Sequence, residues 1–303
     1  MKGANAMPSE GCMVRLEGRG VSLNVRMRAS EDSLHSPLVL LHGWPGSSAG
    51  WEGVVDRLPE DRTIIYPDLR GLGDSERAGD VAAFEKRALA DDIAALIDAL
   101  GVEDVAVAGQ DWGGVIAQEL ALAMPERVKA LIVMNINLIN HPQANLKGLK
   151  GQMLNPKNPR WYMAFQGAPD LAEAMIPGAE AEWLSYIFGQ AVPEGATFPE
   201  DLLEEYVRAY RIEGTARCGA NYYRAMQADA MRWMSLGQAK FAPPSLILYG
   251  EDDPFITPEF YAGYEACFED VRRVDIAAGH FVQDEKPGQV AEAIAAFLAE
   301  VGA

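Results

Sequence analysis

The sequence is poor in cysteine, in histidine and in positive charge, and it has no long apolar run. Three cysteines, Cys12, Cys218 and Cys267, are spread over 303 residues. They lie far apart without metal-ligand spacing, and their number is odd, so neither a disulfide framework nor a metal site is implied. A reducing compartment fits such a chain, and a cytoplasmic location is expected. Lys and Arg number 26 against 44 Asp and Glu, for a formal net charge of −18. So acidic a surface repels nucleic acid and anionic membranes, and neither is expected as a partner. No stretch approaches the roughly 18 apolar residues of a membrane-spanning helix. Residues 1–11 carry one lysine, no apolar centre and no small-residue cleavage site, so they do not read as a secretory signal.

What is there suits a soluble globular enzyme. Hydrophobic residues make up 49% and charged residues 23%, which excludes disorder. The length allows one large domain with an insertion, or two modest domains. Residues 13–17 and 21–28 predict two paired strands joined by Gly18, Arg19 and Gly20. Short apolar runs follow at 37–42, 63–66, 104–109, 128–134 and 245–249, as expected of strands covered on both faces, and 271–276 reads as a sixth strand. Leu89, Ile93, Leu96, Ile97 and Leu100 mark a helix face, and so do Val290, Ile294, Phe297, Leu298 and Val301. Thr257-Pro258-Glu259 predicts a helix start. Strands alternating with helices give the α/β class, a mostly parallel sheet flanked by helices. Residues 137–240 break the rhythm. They are rich in aromatics, read as mainly helical, and have loops at Pro177-Gly178 and Pro193-Glu194-Gly195. A helical cap (lid) over a core of 1–136 and 241–303 is expected.

The strongest chemical signal is Gly109-Gln110-Asp111-Trp112-Gly113-Gly114, after one apolar run and before the helical pattern Val115, Ile116, Leu120. This is the layout of a nucleophile elbow, Gly-x-Ser-x-Gly, with Asp111 in the serine's place. Such a turn lifts its side chain out at a strand end, over a helix N-terminus that favours negative charge. The loop Leu41-His42-Gly43-Trp44-Pro45-Gly46 follows the first buried strand. Its Trp44 N–H, paired with the N–H of Trp112, would form an oxyanion hole. His42 is read as a structural tie for that loop. Of the four histidines, only His280 follows the last core strand, in Ala278-Gly279-His280-Phe281. Acid candidates lie in Gly250-Glu251-Asp252-Asp253-Pro254-Phe255. Asp253 is preferred, with Asp252 and Glu251 open. The order Asp, acid, His is the one this layout requires.

With these motifs in place, the sequence resembles the α/β-hydrolase fold enzymes, and among them the epoxide hydrolases, over nearly its whole length after the first dozen residues. The His-Gly-x-Pro loop, the Gly-x-Asp-x-Gly elbow and the Gly-His-Phe segment carry the resemblance. It implies two cap tyrosines that hold and protonate an epoxide oxygen. Asn221-Tyr222-Tyr223-Arg224-Ala225 resembles the segment of one, giving Tyr223. Trp161-Tyr162-Met163-Ala164-Phe165-Gln166 resembles the segment of the other, giving Tyr162, with Trp161 as the alternative equivalent. Trp161, Trp112 and Phe281 are expected to line the substrate.

The implied reaction converts an epoxide to a vicinal diol through an ester on Asp111, hydrolysed by water that His280 activates. It calls for no metal and no cofactor, only a small apolar epoxide and water. The chain would be a monomer or a homodimer. Haloalkane and haloacid dehalogenases share the aspartate and are the alternative. One kind of dehalogenase places its acid after the strand ending at Met134, where this chain has Asn135, Ile136 and Asn137. A non-catalytic ligand-binding protein on the same fold is a further alternative, in which the whole chemical set would be idle.

Overall fold

A computed structural model describes residues 11–30, 33, 35–153 and 160–303. The N-terminal segment read above therefore lies, through residue 10, outside the described residues.

Every expected strand forms. They are β1 (Cys12–Leu16), β2 (Val21–Arg28), β3 (Leu38–Leu41), β4 (Ile64–Pro67), β5 (Val105–Gln110), β6 (Val128–Met134), β7 (Ser245–Gly250) and β8 (Val271–Ile276). Together they make one sheet in the order β1-β2-β4-β3-β5-β6-β7-β8. β1 runs antiparallel to β2, and β2 antiparallel to β4; the remaining pairings are parallel.

Alternation along the strands divides the interior into two layers. Val39, Leu41, Val107, Leu131 and Val133 point to one side. Leu38, Leu40, Ala106, Ala108, Ile132 and Met134 point to the other. The first layer is covered by α2 (Lys86–Ala99) and α3 (Trp112–Ala123), through Leu89, Ile93, Val115 and Ile116. The second is covered by α1 (Glu52–Val55) and α12 (Pro287–Val301), through Val54, Val55, Ile294 and Phe297. Each fully buried aliphatic side chain contributes about 1.5–3 kcal/mol, so this two-sided burial is what holds the sheet rigid beneath its loops.

Between β6 and β7 the chain makes α4 (Pro142–Met153), α5 (Trp161–Gly167), α6 (Leu171–Met175), α7 (Glu180–Ala191), α8 (Glu200–Tyr210), α9 (Thr215–Arg224) and α10 (Met226–Ser235). Buried side chains of this insertion, among them Tyr162, Phe188, Tyr206 and Tyr222, join the first layer. The short α11 (Val282–Glu285) follows β8. One expectation is corrected. The Thr257-Pro258-Glu259 start opens only a 3₁₀ turn, Pro258–Tyr261, because Phe260 and Tyr261 are drawn into the core and Gly263, at φ 79°, turns the chain away. No helix among the described residues is long and apolar enough to cross a membrane.

Candidate active site

β5 ends at Gln110 and α3 begins at Trp112, which leaves Asp111 alone in the turn, at φ 50° and ψ −127°. That conformation costs a non-glycine residue of order 1–3 kcal/mol. The surroundings hold it: the Asp111 N–H donates to the Met134 carbonyl at 3.1 Å, and the Gly114 N–H donates to the Asp111 carbonyl at 2.9 Å. The glycines are needed because the backbones nearly touch. A Cβ at Gly109 would lie 2.2 Å from the Gly113 oxygen, and one at Gly113 would lie 2.2 Å from the Leu41 oxygen.

The Asp111 side chain is buried, and its Oδ1 accepts the Trp44 N–H at 3.0 Å. That donor comes from the loop after β3, next to a cis Trp44–Pro45 peptide. Trp112 stands in the first turn of α3, where backbone N–H groups have no intrahelical acceptor and the helix field favours an anion. His42 fills its structural place. Its Nδ1 donates to the Gly43 carbonyl at 2.9 Å, and its Nε2 accepts the Leu69 N–H at 2.9 Å. Burial lowers its pKa, so the ring is neutral.

The loops after β7 and β8 bring the other two groups to the same edge of the sheet. His280 Nδ1 donates to Asp253 Oδ2 at 2.8 Å, and its Nε2 lies 3.4 Å from Asp111 Oδ2. Asp253 is fully engaged. Its Oδ1 accepts the N–H groups of Phe255 at 2.7 Å and Ile256 at 3.1 Å. Glu251 and Asp252, the open alternatives, are exposed on the same loop. Burial pushes the pKa of His280 down, but the carboxylates of Asp253 and Asp111 outweigh it and hold the ring up at about 10. At neutral pH the imidazole is therefore held protonated.

A cavity of about 520 Å³ opens over this group. Asp111 and His280 line its polar end with Tyr162, Tyr223 and Trp112; the remaining wall is mostly aliphatic and aromatic, including Leu149, Met163, Met226, Trp233 and Phe260. Both tyrosines are buried. Burial raises both phenol pKa values, and the nearby charge of Asp111 pushes each in the same direction, so both remain protonated donors. The Trp44 ring stacks on Tyr162 at 5.4 Å and meets Tyr223 edge-on at 5.1 Å, which fixes the two rings beside each other.

Two expected lining residues stand elsewhere. Trp161 is 41% exposed and packs on Phe165, Trp183 and Tyr186, outside the cavity. Neighbours on a helix are about 100° apart, so Tyr162 facing inward turns Trp161 away. Phe281 is buried behind the His280 ring, 4.9 Å from it and 4.7 Å from Phe188, and does not line the cavity.

Sequence reasoning passed over two residues. Asn135, at the end of β6, donates through Nδ2 to Asp253 Oδ2 at 2.7 Å and to the Gly279 carbonyl at 3.1 Å. Its Oδ1 accepts the Gly250 N–H at 2.9 Å. It thereby fastens the loops that carry both Asp253 and His280. The only signal for it was its polarity directly after an apolar run. Arg160 also lines the cavity, donating to the Phe255 carbonyl with its guanidinium 4.8 Å from the Phe260 ring.

A buried carboxylate with one oxygen on a backbone N–H and the other facing an imidazolium is equipped to attack an electrophilic carbon. Two neutral phenols in the same cavity are equipped to protonate a leaving oxygen. Among the described residues no group of three or more His, Cys, Asp or Glu side chains could hold a metal ion.

Comparison with known proteins gives concordant matches. A family model described as alpha/beta hydrolase fold matches residues 36–287. The soluble epoxide hydrolase of Corynebacterium sp. (strain C12) is 31% identical over 274 residues, covering 87% of this chain and 90% of that one. Epoxide hydrolase 4 of Mus musculus is 27% identical, covering 97% of this chain and 81% of that one. The solved structure of epoxide hydrolase CorEH without ligand superposes with a TM-score of 0.79 at 28% identity, covering 96% of this chain and 99% of that one.

Proposed function

Since this chain belongs to the alpha/beta hydrolase fold family, in its epoxide hydrolase branch, we propose that it opens an epoxide to a vicinal diol through a covalent ester on Asp111. The observation that carries the reading is one cavity lined by the Asp111 carboxylate, the His280 imidazole and two buried phenols. Relatives named as epoxide hydrolases support it. In this reading residues 137–240 are the cap and 1–136 with 241–303 the core.

Ring opening comes first. An Asp111 oxygen forms a bond to one oxirane carbon, the carbon–oxygen bond of the strained ring breaks, and the released oxygen takes a proton from Tyr223 or Tyr162. Asp111 is now a neutral ester. One of the two carboxylates that hold His280 protonated has lost its charge, so the imidazole gives up its proton, which restores the tyrosinate to a phenol, and becomes a base. Water then gives a proton to His280 and attacks the Asp111 carbonyl carbon. The tetrahedral oxyanion rests on the Trp44 and Trp112 N–H groups, an arrangement in which each donor is worth ~2.7–4 kcal/mol in related chemistry. Collapse breaks the ester bond, His280 protonates the departing alkoxide, and the proton of the new carboxyl group passes to His280, which restores the resting carboxylate and imidazolium. The net reaction adds one water to the epoxide.

Incubation with styrene oxide and, separately, with a short bromoalkane tests the assignment. Diol from the first without halide from the second is expected. Halide release with no diol would replace the reading with the dehalogenase one.

A further inference from the structure

Lys86, at the start of α2, is 0% exposed. An ammonium removed from water costs several kcal/mol unless its surroundings replace what water supplied. Here three elements do so. Its Nζ donates to Asp229 Oδ2 on α10 at 2.9 Å and to the backbone carbonyl of Tyr222 on α9. It also stands 4.2 Å from the centroid of the Trp112 ring on α3, within cation–π range. The Lys86 backbone N–H donates to the other oxygen of Asp229 at 2.8 Å, so both carboxylate oxygens are committed to this one residue.

These partners are not arbitrary neighbours. Trp112 directly follows Asp111, and Tyr222 directly precedes Tyr223. Across one trans peptide, adjacent Cα atoms are fixed 3.8 Å apart. A single compact charge therefore holds the residue beside the proposed nucleophile and the residue beside the proposed acid, although they come from different parts of the chain. Trp112 and Tyr223 also meet edge-on at 5.6 Å on the cavity wall. Lysine suits the place because its point charge serves an oxygen pair and a ring face at once; the planar fork of arginine does not.

We infer that Lys86 is a positioning residue that sets Tyr223 against Asp111 for ring opening. The inference rests on the epoxide reading above. It separates the two half-reactions: ring opening needs the phenol placed against the carboxylate, whereas ester hydrolysis needs His280, Asp253 and the backbone N–H groups of Trp44 and Trp112, of which Lys86 meets only the side-chain ring of Trp112.

The experiment uses Lys86→Met combined with Asp229→Asn, which removes both charges and keeps the volumes and the acceptor for the Lys86 N–H. Lys86→Met alone would bury an unpaired carboxylate and could fail to fold. Rapid quenching and intact mass, with styrene oxide, follow the rise and decay of the ester. Ring opening should slow at least tenfold while ester hydrolysis stays within twofold. In protein labelled with 3-fluorotyrosine, the fluorine signal of Tyr223, identified by its loss in Tyr223→Phe, should shift or broaden in the double variant. Half-reactions slowed alike, ring opening unchanged, or an unmoved Tyr223 signal each overturn the inference. If the native chain converts no epoxide, the epoxide reading fails separately, and the fluorine signal alone decides the role of Lys86.

Discussion

Replacing Asp111 by Asn should lower the pKa of His280 by about three pH units. Asparagine copies the neutral ester in shape and charge, so this variant isolates what ester formation does to the base. In the native protein Asp111 Oδ2 lies 3.4 Å from His280 Nε2. With an effective dielectric of about 20, opposite unit charges at that separation attract by about 5 kcal/mol, equivalent to roughly 3.5 pH units. Asp253 stays on Nδ1 and keeps part of the upward pull. The ring, held at about 10 in the native protein, should then titrate in the neutral range, where a general base is most effective. Nitrogen-15 spectra of labelled histidine across pH give both values, and His280→Gln identifies the signal. A difference below one unit, or a native ring titrating near its ordinary 6.5, would refute the reasoning. The same shift has a consequence for stability. The folded ring binds its proton more tightly than the unfolded one, so the gain is complete below about pH 6.5 and is lost as pH rises through about 10. Native stability should fall over that window, and Asp111→Asn should flatten the fall.

Three further outcomes are expected. Tyr223→Phe and Tyr162→Phe should each slow ester formation roughly 10- to 100-fold, the equivalent of a hydrogen bond to a charged oxygen at ~1.5–3 kcal/mol, measured by single-turnover mass analysis. Trp161→Phe, on the outer side of α5, should change neither half-reaction more than twofold. Asn135→Ala removes the bonds to Asp253, Gly279 and Gly250 and places alanine at φ 44°, so urea unfolding should show a loss of about 2–4 kcal/mol, with ester hydrolysis slowed more than ring opening.

The sheet was legible because strands buried on both faces write themselves as unbroken apolar runs, as in Leu38–Leu41 and in β6 from Ala130 to Met134. Asp111 was legible because the tight crossing of Gly109 and Gly113 leaves so few residues that can serve. The choice between Asp253, Asp252 and Glu251 was not, because neighbours in one loop differ only in direction; burial and the bond to His280 separate them. Trp161 and Tyr162 posed the same difficulty on a helix whose rotation about its axis the sequence does not specify. Asn135 and Lys86 were missed for another reason. A neutral amide and a lysine are ordinary surface residues by type, and their importance lies in partners distant along the chain, at Asp253 for one and at Trp112, Tyr222 and Asp229 for the other.

Whether Asp111 itself forms the bond to substrate can be read from the origin of the product oxygen. With enzyme in excess over epoxide in water enriched in oxygen-18, a single turnover should give diol free of the label, because its new oxygen comes from the carboxylate, while the peptide bearing Asp111 gains the heavy isotope. Label appearing in the diol on that first turnover, with the Asp111 peptide unchanged, would mean that water attacks the epoxide directly and that no ester is formed.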